Sequence, residues 1–180
     1  MNDLKELMIQ RRSKRQYDGK ALDKNVLREI VDAGLLAPTG RNLHPIDMII
    51  VENRSMLDDL SYAKTAGSAL IQNAAAAIVV VGDTSCSDTW VEDGAIMMAY
   101  MQLMAESLGV GNCWVQIRNR ESQKLMNEMR MSSADYVREA LHLPANFEAL
   151  AILALGMSDE KRAPHTKEDL DYSHCHRESF

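Results

Sequence analysis

Apolar residues recur along this chain in two rhythms. Leu4, Leu7 and Met8 fall at helical spacing, so a short amphipathic helix is expected over 2–12. Asp23 can cap a second helix over 24–36, whose inner residues are Leu27, Ile30, Val31 and Leu35; Leu22 and Leu27 stand at the positions of a hydrophobic staple. Residues 46–52, IDMIIVE, are β-branched and bounded by turn signals, which predicts a strand. Residues 54–73 read as one or two short helices. The continuous apolar run 77–82, AIVVVG, is short and Val-rich, and so reads as a strand buried on both faces. Thr89-Trp90-Val91-Glu92 has the form of a capping box and opens a helix that runs to Leu108, with Gly109 as its stop. That helix is apolar nearly all round and must be covered on most sides, by its own chain and by a partner subunit. A third strand is expected over 112–117, helices over 121–130 and 133–142, and a fourth strand over 148–155, ending at Gly156. From Met157 to Phe180 the chain is polar and is expected to be extended. Helices interleaved with strands define an α+β class in which helices flank a sheet.

Composition narrows the picture. At 180 residues, 46% hydrophobic and 26% charged, the chain reads as one domain over 1–180, long enough to build a core without disulfide or metal staples. Its net charge of -6 argues against general nucleic-acid binding, which needs a basic face. No apolar stretch is long enough for a transmembrane helix, and the amino terminus lacks the pattern of a signal peptide. Three cysteines, odd in number and far apart, fit a reduced cytoplasmic protein.

Against that acidic background, Arg11-Arg12-Ser13-Lys14-Arg15 concentrates cations around a hydroxyl. Arg11 and Arg15 would share a face if the first helix continued through them. Guanidinium groups bind phosphate in bidentate fashion, although composition alone favours a solvated helix end. The loop Pro38-Thr39-Gly40-Arg41-Asn42-Leu43-His44-Pro45 offers hydroxyl, amide and imidazole groups to a polar heterocycle, or is a connector rich in turn formers. Gly109-Val110-Gly111 precedes a strand instead of following one, the wrong context for a dinucleotide fingerprint. Lys161 and Arg162 add a second cation pair after the last strand, or belong to an ordinary charged tail. His174-Cys175-His176 cannot converge on one ion, so no metal site is expected.

Taken in order, these pieces resemble the nitroreductase family of FMN-dependent oxidoreductases. Arg11-Arg12-Ser13-Lys14-Arg15-Gln16-Tyr17 is similar to the family's R-R-S-x-R-x-[FY] opening. The Pro38–Pro45 loop is similar to its A-P-S-x-x-N-x-Q-P segment, and Gly109 to Val115 to its G-L-G-S-C-W-I segment. Ala154-Leu155-Gly156 with Lys161-Arg162 matches its closing L-G and basic tail. The resemblance covers nearly the whole chain. It implies a three-layer α+β fold with a central mixed sheet and an intertwined homodimer with FMN at the subunit interface. It also implies ping-pong transfer of hydride from NAD(P)H, through flavin N5, to a small acceptor such as a nitroaromatic, a quinone or an activated alkene. A flavin-binding redox sensor or carrier without efficient turnover is the alternative.

The resemblance also suggests roles. Arg11 and Ser13 would hold the FMN phosphate and ribityl chain, with Arg12 contributing through its backbone, and Lys161 or Arg162 would close on the phosphate. Arg15 would lie beside the N1–C2 edge of the flavin. Thr39, Gly40 and Asn42 of the other subunit would line the ring, and Cys113 and Trp114 would pass close to it through main-chain atoms. His44 stands where the family often has Gln, and it could still donate to the flavin pyrimidine. No side chain is required as acid or base, so no catalytic residue is assigned. A cation about 4 Å from N1 interacts with the charge of two-electron reduction by up to about 4 kcal/mol at an effective dielectric of 20. Even about 1.4 kcal/mol of that moves a two-electron potential by about 30 mV.

Overall fold

A computed structural model describes residues 4–180. The first helix, α1 (Leu4–Gln10), ends before the arginine run. The Arg11 amide still donates to Leu7 O at 2.9 Å, and the chain is non-helical from there to Asp23. Helical continuity therefore does not bring Arg11 and Arg15 to one face. In α2 (Lys24–Leu35) the Asp23 carboxylate caps the Asn25 amide at 2.8 Å, and Leu22, Leu27 and Ile30 are buried as the staple pattern requires.

The four long strands β1 (Ile46–Val51), β2 (Ala76–Asp83), β3 (Gly111–Gln116) and β6 (Phe147–Gly156) form one sheet in the order β1-β2-β6-β3. All its pairings are antiparallel, where a mixed sheet was expected. On β2, Ala76, Ile78 and Val80 point toward α2 and α4 (Trp90–Ser107). The alternate residues Ala77, Val79 and Val81 point toward α3 (Arg54–Leu60) and α5 (Ser133–Leu141). Helices on both faces thus complete three layers, and they explain why this strand is apolar at every position.

The register of β2 and β6 slips between Val80 and Val81, which leaves Leu150 as an extra residue on β6. Its carbonyl accepts two consecutive amides, Ile117 at 3.1 Å and Arg118 at 3.0 Å. Its side chain presses on α4 at Gly94, where a Cβ would lie 2.6 Å from Leu150 Cδ2. A glycine inside a helix costs about 1 kcal/mol. Here it permits α4 to lie close against the bulged strand.

Two expected local structures are replaced. Residues 121–130 are not helical: β4 (Glu121–Met126) and β5 (Met129–Ser132) form an antiparallel hairpin. Asn127 and Glu128 both take positive φ, 51° and 66°, the pairing that a two-residue turn between twisted strands demands. The capping box at Thr89 does not form either. The Thr89 hydroxyl turns to Asp93 Oδ2 at 3.3 Å and to Ser87 Oγ at 3.0 Å, and Glu92 points to solvent. The helix stop does form, with Gly109 at φ 73°. On α4 itself Ile96, Ala99 and Tyr100 remain exposed in the single chain, so the expected all-round cover is not supplied by this chain alone.

Candidate functional site

The arginine segment lies across the carboxyl end of β6. The Lys14 amide donates to Asn112 O at 2.9 Å, and the Asp18 amide to Met157 O at 3.1 Å. Between them, the Tyr17 hydroxyl donates to Lys14 O at 2.7 Å and also reaches Ala154 O at 3.3 Å. Burial pushes the Tyr17 phenol well above its ordinary range, so it stays a neutral donor. The Tyr17 ring covers Gly156, where a Cβ would meet it at 3.0 Å. Gly111 is equally constrained: its Cβ would lie 2.8 Å from Ser158 Cβ and 2.9 Å from Gly156 O. Small residues at both strand ends thus let the tail after β6 run against β3 and the arginine segment.

This packing gathers most of the expected cofactor-binding residues. Arg11, Arg12 and Ser13 are half-buried and Arg15 is exposed. The Arg12 guanidinium donates to Ala163 O, tying the segment to the tail. Cys113 of β3 is buried, and burial pushes its thiol above the ordinary range; Arg15, Ser13 and Arg11 lie near enough to pull it partly back. Trp114 is half-buried on the opposite face of β3, with Nε1 donating to Gln116 Oε1 at 2.9 Å. Lys161 is exposed beside Arg162, whose Nε donates to Glu160 Oε1 at 2.7 Å. Glu106, near the end of α4, faces Lys14 and Arg11; burial raises its carboxyl and the two cations oppose that rise.

Thr39, Gly40, Asn42 and His44 form a second group elsewhere. Their loop holds three non-glycine residues in the left-handed region, Arg41 at φ 53°, Asn42 at 56° and His44 at 50°. Such residues cost about 1 kcal/mol each unless the surroundings fix them. Here the Gly40 amide donates to the buried Asp93 carboxylate at 2.8 Å, and the His44 amide to Thr39 Oγ1 at 3.1 Å. Arg41 pairs with Asp88. His44 Nε2 lies 3.0 Å from Asn42 Oδ1, so the imidazole is engaged within its own loop.

The two groups sit at opposite ends of α4. One is anchored at Asp93, the other faces Glu106, and the rise of a helix separates those positions by about 20 Å. A single chain therefore does not bring Thr39, Gly40, Asn42 and His44 together with Arg11, Arg12, Ser13, Arg15, Cys113, Lys161 and Arg162. Sequence reasoning missed Tyr17, Asp93 and Glu160 as supports of these loops. Asp93 and Glu160 read as ordinary helix-start and tail acids, and only tertiary contacts reveal the amides they hold.

His174, Cys175 and His176 are exposed; His174 faces Asp171 at 3.5 Å, and His176 stacks on Phe180 at 4.2 Å. Among the described residues no cluster of three or more His, Cys, Asp or Glu side chains could hold a metal ion, and no helix is long and apolar enough to cross a membrane.

Comparison with known proteins agrees with this geometry. The nitroreductase family model matches residues 8–85 and 62–157. An Archaeoglobus fulgidus protein provisionally named NADH dehydrogenase/NAD(P)H nitroreductase is 31% identical, over 100% of both chains. The structure of an FMN-dependent nitroreductase from Clostridium difficile superimposes with a TM-score of 0.90 at 35% identity, covering 97% of this chain and 98% of that one. A Parabacteroides distasonis protein, also provisionally named NADH dehydrogenase/NAD(P)H nitroreductase, gives 0.87 at 26% identity over 100% of both chains. Such agreement in sequence and fold, over essentially the whole length, defines an oxidoreductase of α+β architecture. The chain belongs to the nitroreductase family and has its fold.

Proposed function

We propose that this enzyme is a cytoplasmic, FMN-dependent oxidoreductase that takes hydride from NAD(P)H and passes it to a small electron acceptor by a ping-pong route. The observation that carries this reading is the meeting of Arg11, Ser13 and Arg15 beside Cys113, with Arg162, from the other end of the chain, tied to the same segment through Glu160. In a protein of net charge -6, that gathering of guanidinium, ammonium and hydroxyl donors suits a phosphorylated, polar ligand. The Clostridium difficile relative is an FMN-dependent nitroreductase, which points to the same ligand.

When bound, FMN supplies the hydride-accepting centre, and the protein supplies binding, orientation and electrostatics. Arg11 and Ser13 would hold the phosphate and ribityl chain, and Lys161 or Arg162 would close on the phosphate. Arg12 fixes the tail through Ala163 O, in addition to any backbone role. Arg15 places positive charge at the pyrimidine edge and favours the doubly reduced state. Cys113 and Trp114 offer main-chain atoms, and the neutral, buried thiol keeps a competing negative charge out of the site.

The enzyme works as a homodimer in this reading. The Thr39–His44 loop lies too far from the arginine segment of its own chain to meet the same flavin ring, so a second copy must supply it. The exposed Ile96 and Tyr100 of α4 give that copy an apolar face to cover. The test is a visible spectrum of the purified protein before and after anaerobic NADPH. Flavin absorbance that bleaches within seconds supports the enzyme, and flavin that stays oxidised supports a carrier or sensor. The double variant Arg11→Ala/Arg15→Ala should lose FMN while keeping its far-UV circular dichroism; full flavin occupancy in that variant would refute the phosphate assignment.

A further inference from the structure

The tail after β6 carries one acidic side chain where the proposed ligand is itself an anion. The Glu160 side chain is only 9% exposed. Its Oε2 accepts the Arg15 amide at 2.6 Å and the Gln16 amide at 3.2 Å. Its Oε1 accepts Arg162 Nε at 2.7 Å, and Arg162 Nη2 pairs with the same oxygen. The Glu160 carbonyl accepts from Lys14 Nζ. One residue thus touches Lys14, Arg15, Gln16 and Arg162.

Two consecutive amides aimed at one oxygen form a small anion-binding concavity. Here the chain fills that concavity with its own carboxylate. The amides are thereby used to fix the backbone, while the Arg15 guanidinium stays outside that contact, where it reaches Ser13 O at 3.5 Å. The same carboxylate also orients Arg162, so the two cation groups are held in one frame before anything binds. We propose that Glu160 is a positioning residue of the flavin site, whose carboxylate clasps the Arg15–Gln16 backbone to the Arg162 side chain and so preforms the phosphate cradle. This rests on the FMN reading above. The opposite role, an internal competitor that occupies Arg162 and must be displaced by phosphate, predicts the opposite sign for every binding measurement.

Glu160→Ala and Glu160→Gln, each compared with the native protein, separate these roles. Gln keeps one oxygen for the Arg15 and Gln16 amides but no longer draws in Arg162 as a carboxylate does. In flavin-free protein, hydrogen exchange at the Arg15 and Gln16 amides should accelerate in Glu160→Ala and stay near native in Glu160→Gln. Titration with FMN, followed by flavin fluorescence, should show binding weakened by about 10-fold or more in Glu160→Ala, which corresponds to about 1.4 kcal/mol. Glu160→Gln should lie between Glu160→Ala and the native protein. Unchanged exchange in Glu160→Ala, tighter FMN binding in either variant, or a Gln variant as impaired as Ala would each overturn the proposal. If the native protein takes up no FMN, the flavin reading fails, and the exchange data alone then decide whether Glu160 clasps the segment.

Discussion

At the scale of single residues, contacts override chemical type. Cys113 sits among Arg11, Ser13 and Arg15, a cationic setting of the kind that can activate a thiolate. Burial outweighs those neighbours and raises its thiol above the ordinary range. The sign follows directly. The thiol is neutral at pH 7 in both the folded and the unfolded chain, so it contributes nothing to pH dependence there. As pH rises through the ordinary thiol range, the unfolded chain ionises first and folded stability is lost. Alkylation of the native protein at pH 8, read by mass spectrometry, should therefore label the exposed Cys86 and Cys175 and spare Cys113. Gly82 is another case. A Cβ there would run into the Trp90 ring, so Gly82→Ala overpacks the junction of β2 and α4. It should cost about 1–3 kcal/mol in denaturant unfolding, with the slope unchanged. The sequence displays both residues but neither contact.

At the scale of elements, periodicity located those whose faces are decided by burial. Asp23 with Leu22 and Leu27 announced α2, and the run from Ala77 to Val81 announced a strand covered on both sides. It failed over 121–130, where burial gives little guidance. Of β4 and β5 only Ser122 and Met131 are buried, and Leu125, Met126 and Met129 are exposed, so a helical spacing of apolar residues carried no information about a core. The turn decides that element, and it uses Glu128 at a φ of 66°. Glu128→Gly creates the Asn-Gly pair that such turns prefer and should stabilise the protein by about 0.5–1 kcal/mol, read as a rise in melting temperature. The Thr39–His44 loop shows the reverse balance. Its motif was legible, but its strained backbone is held by an anchor, Asp93, that belongs to α4, remote in sequence.

At the scale of the whole molecule, the arrangement of the two residue groups along α4 carries the functional argument. Each group has its own carboxylate on its backbone, Glu160 holding the Arg15 and Gln16 amides and Asp93 the Gly40 amide, yet the length of a helix keeps them apart. If a second copy joins them, assembly and flavin binding are one event. Ile96→Asp with Tyr100→Asp places charges on the exposed face of α4 without touching either group. Sedimentation should then report a monomer, flavin should be lost, and secondary structure should persist. A monomer that retains its flavin would show that one chain suffices.

The chain's own pattern determined the helices and strands that line the core, such as α2, α4 and β2, because a core imposes its period on the residues that face it; it did not determine the exposed hairpin of β4 and β5. It also determined that cations and turn formers stand in an order resembling one family, because those residue types bear the chemistry directly. Only the tertiary structure decided which groups meet. The arginine segment and the tail become neighbours because Gly111, Gly156 and Tyr17 let three stretches of backbone approach closely. Neighbourhood across such separations depends on packing distances, which no single stretch of sequence contains.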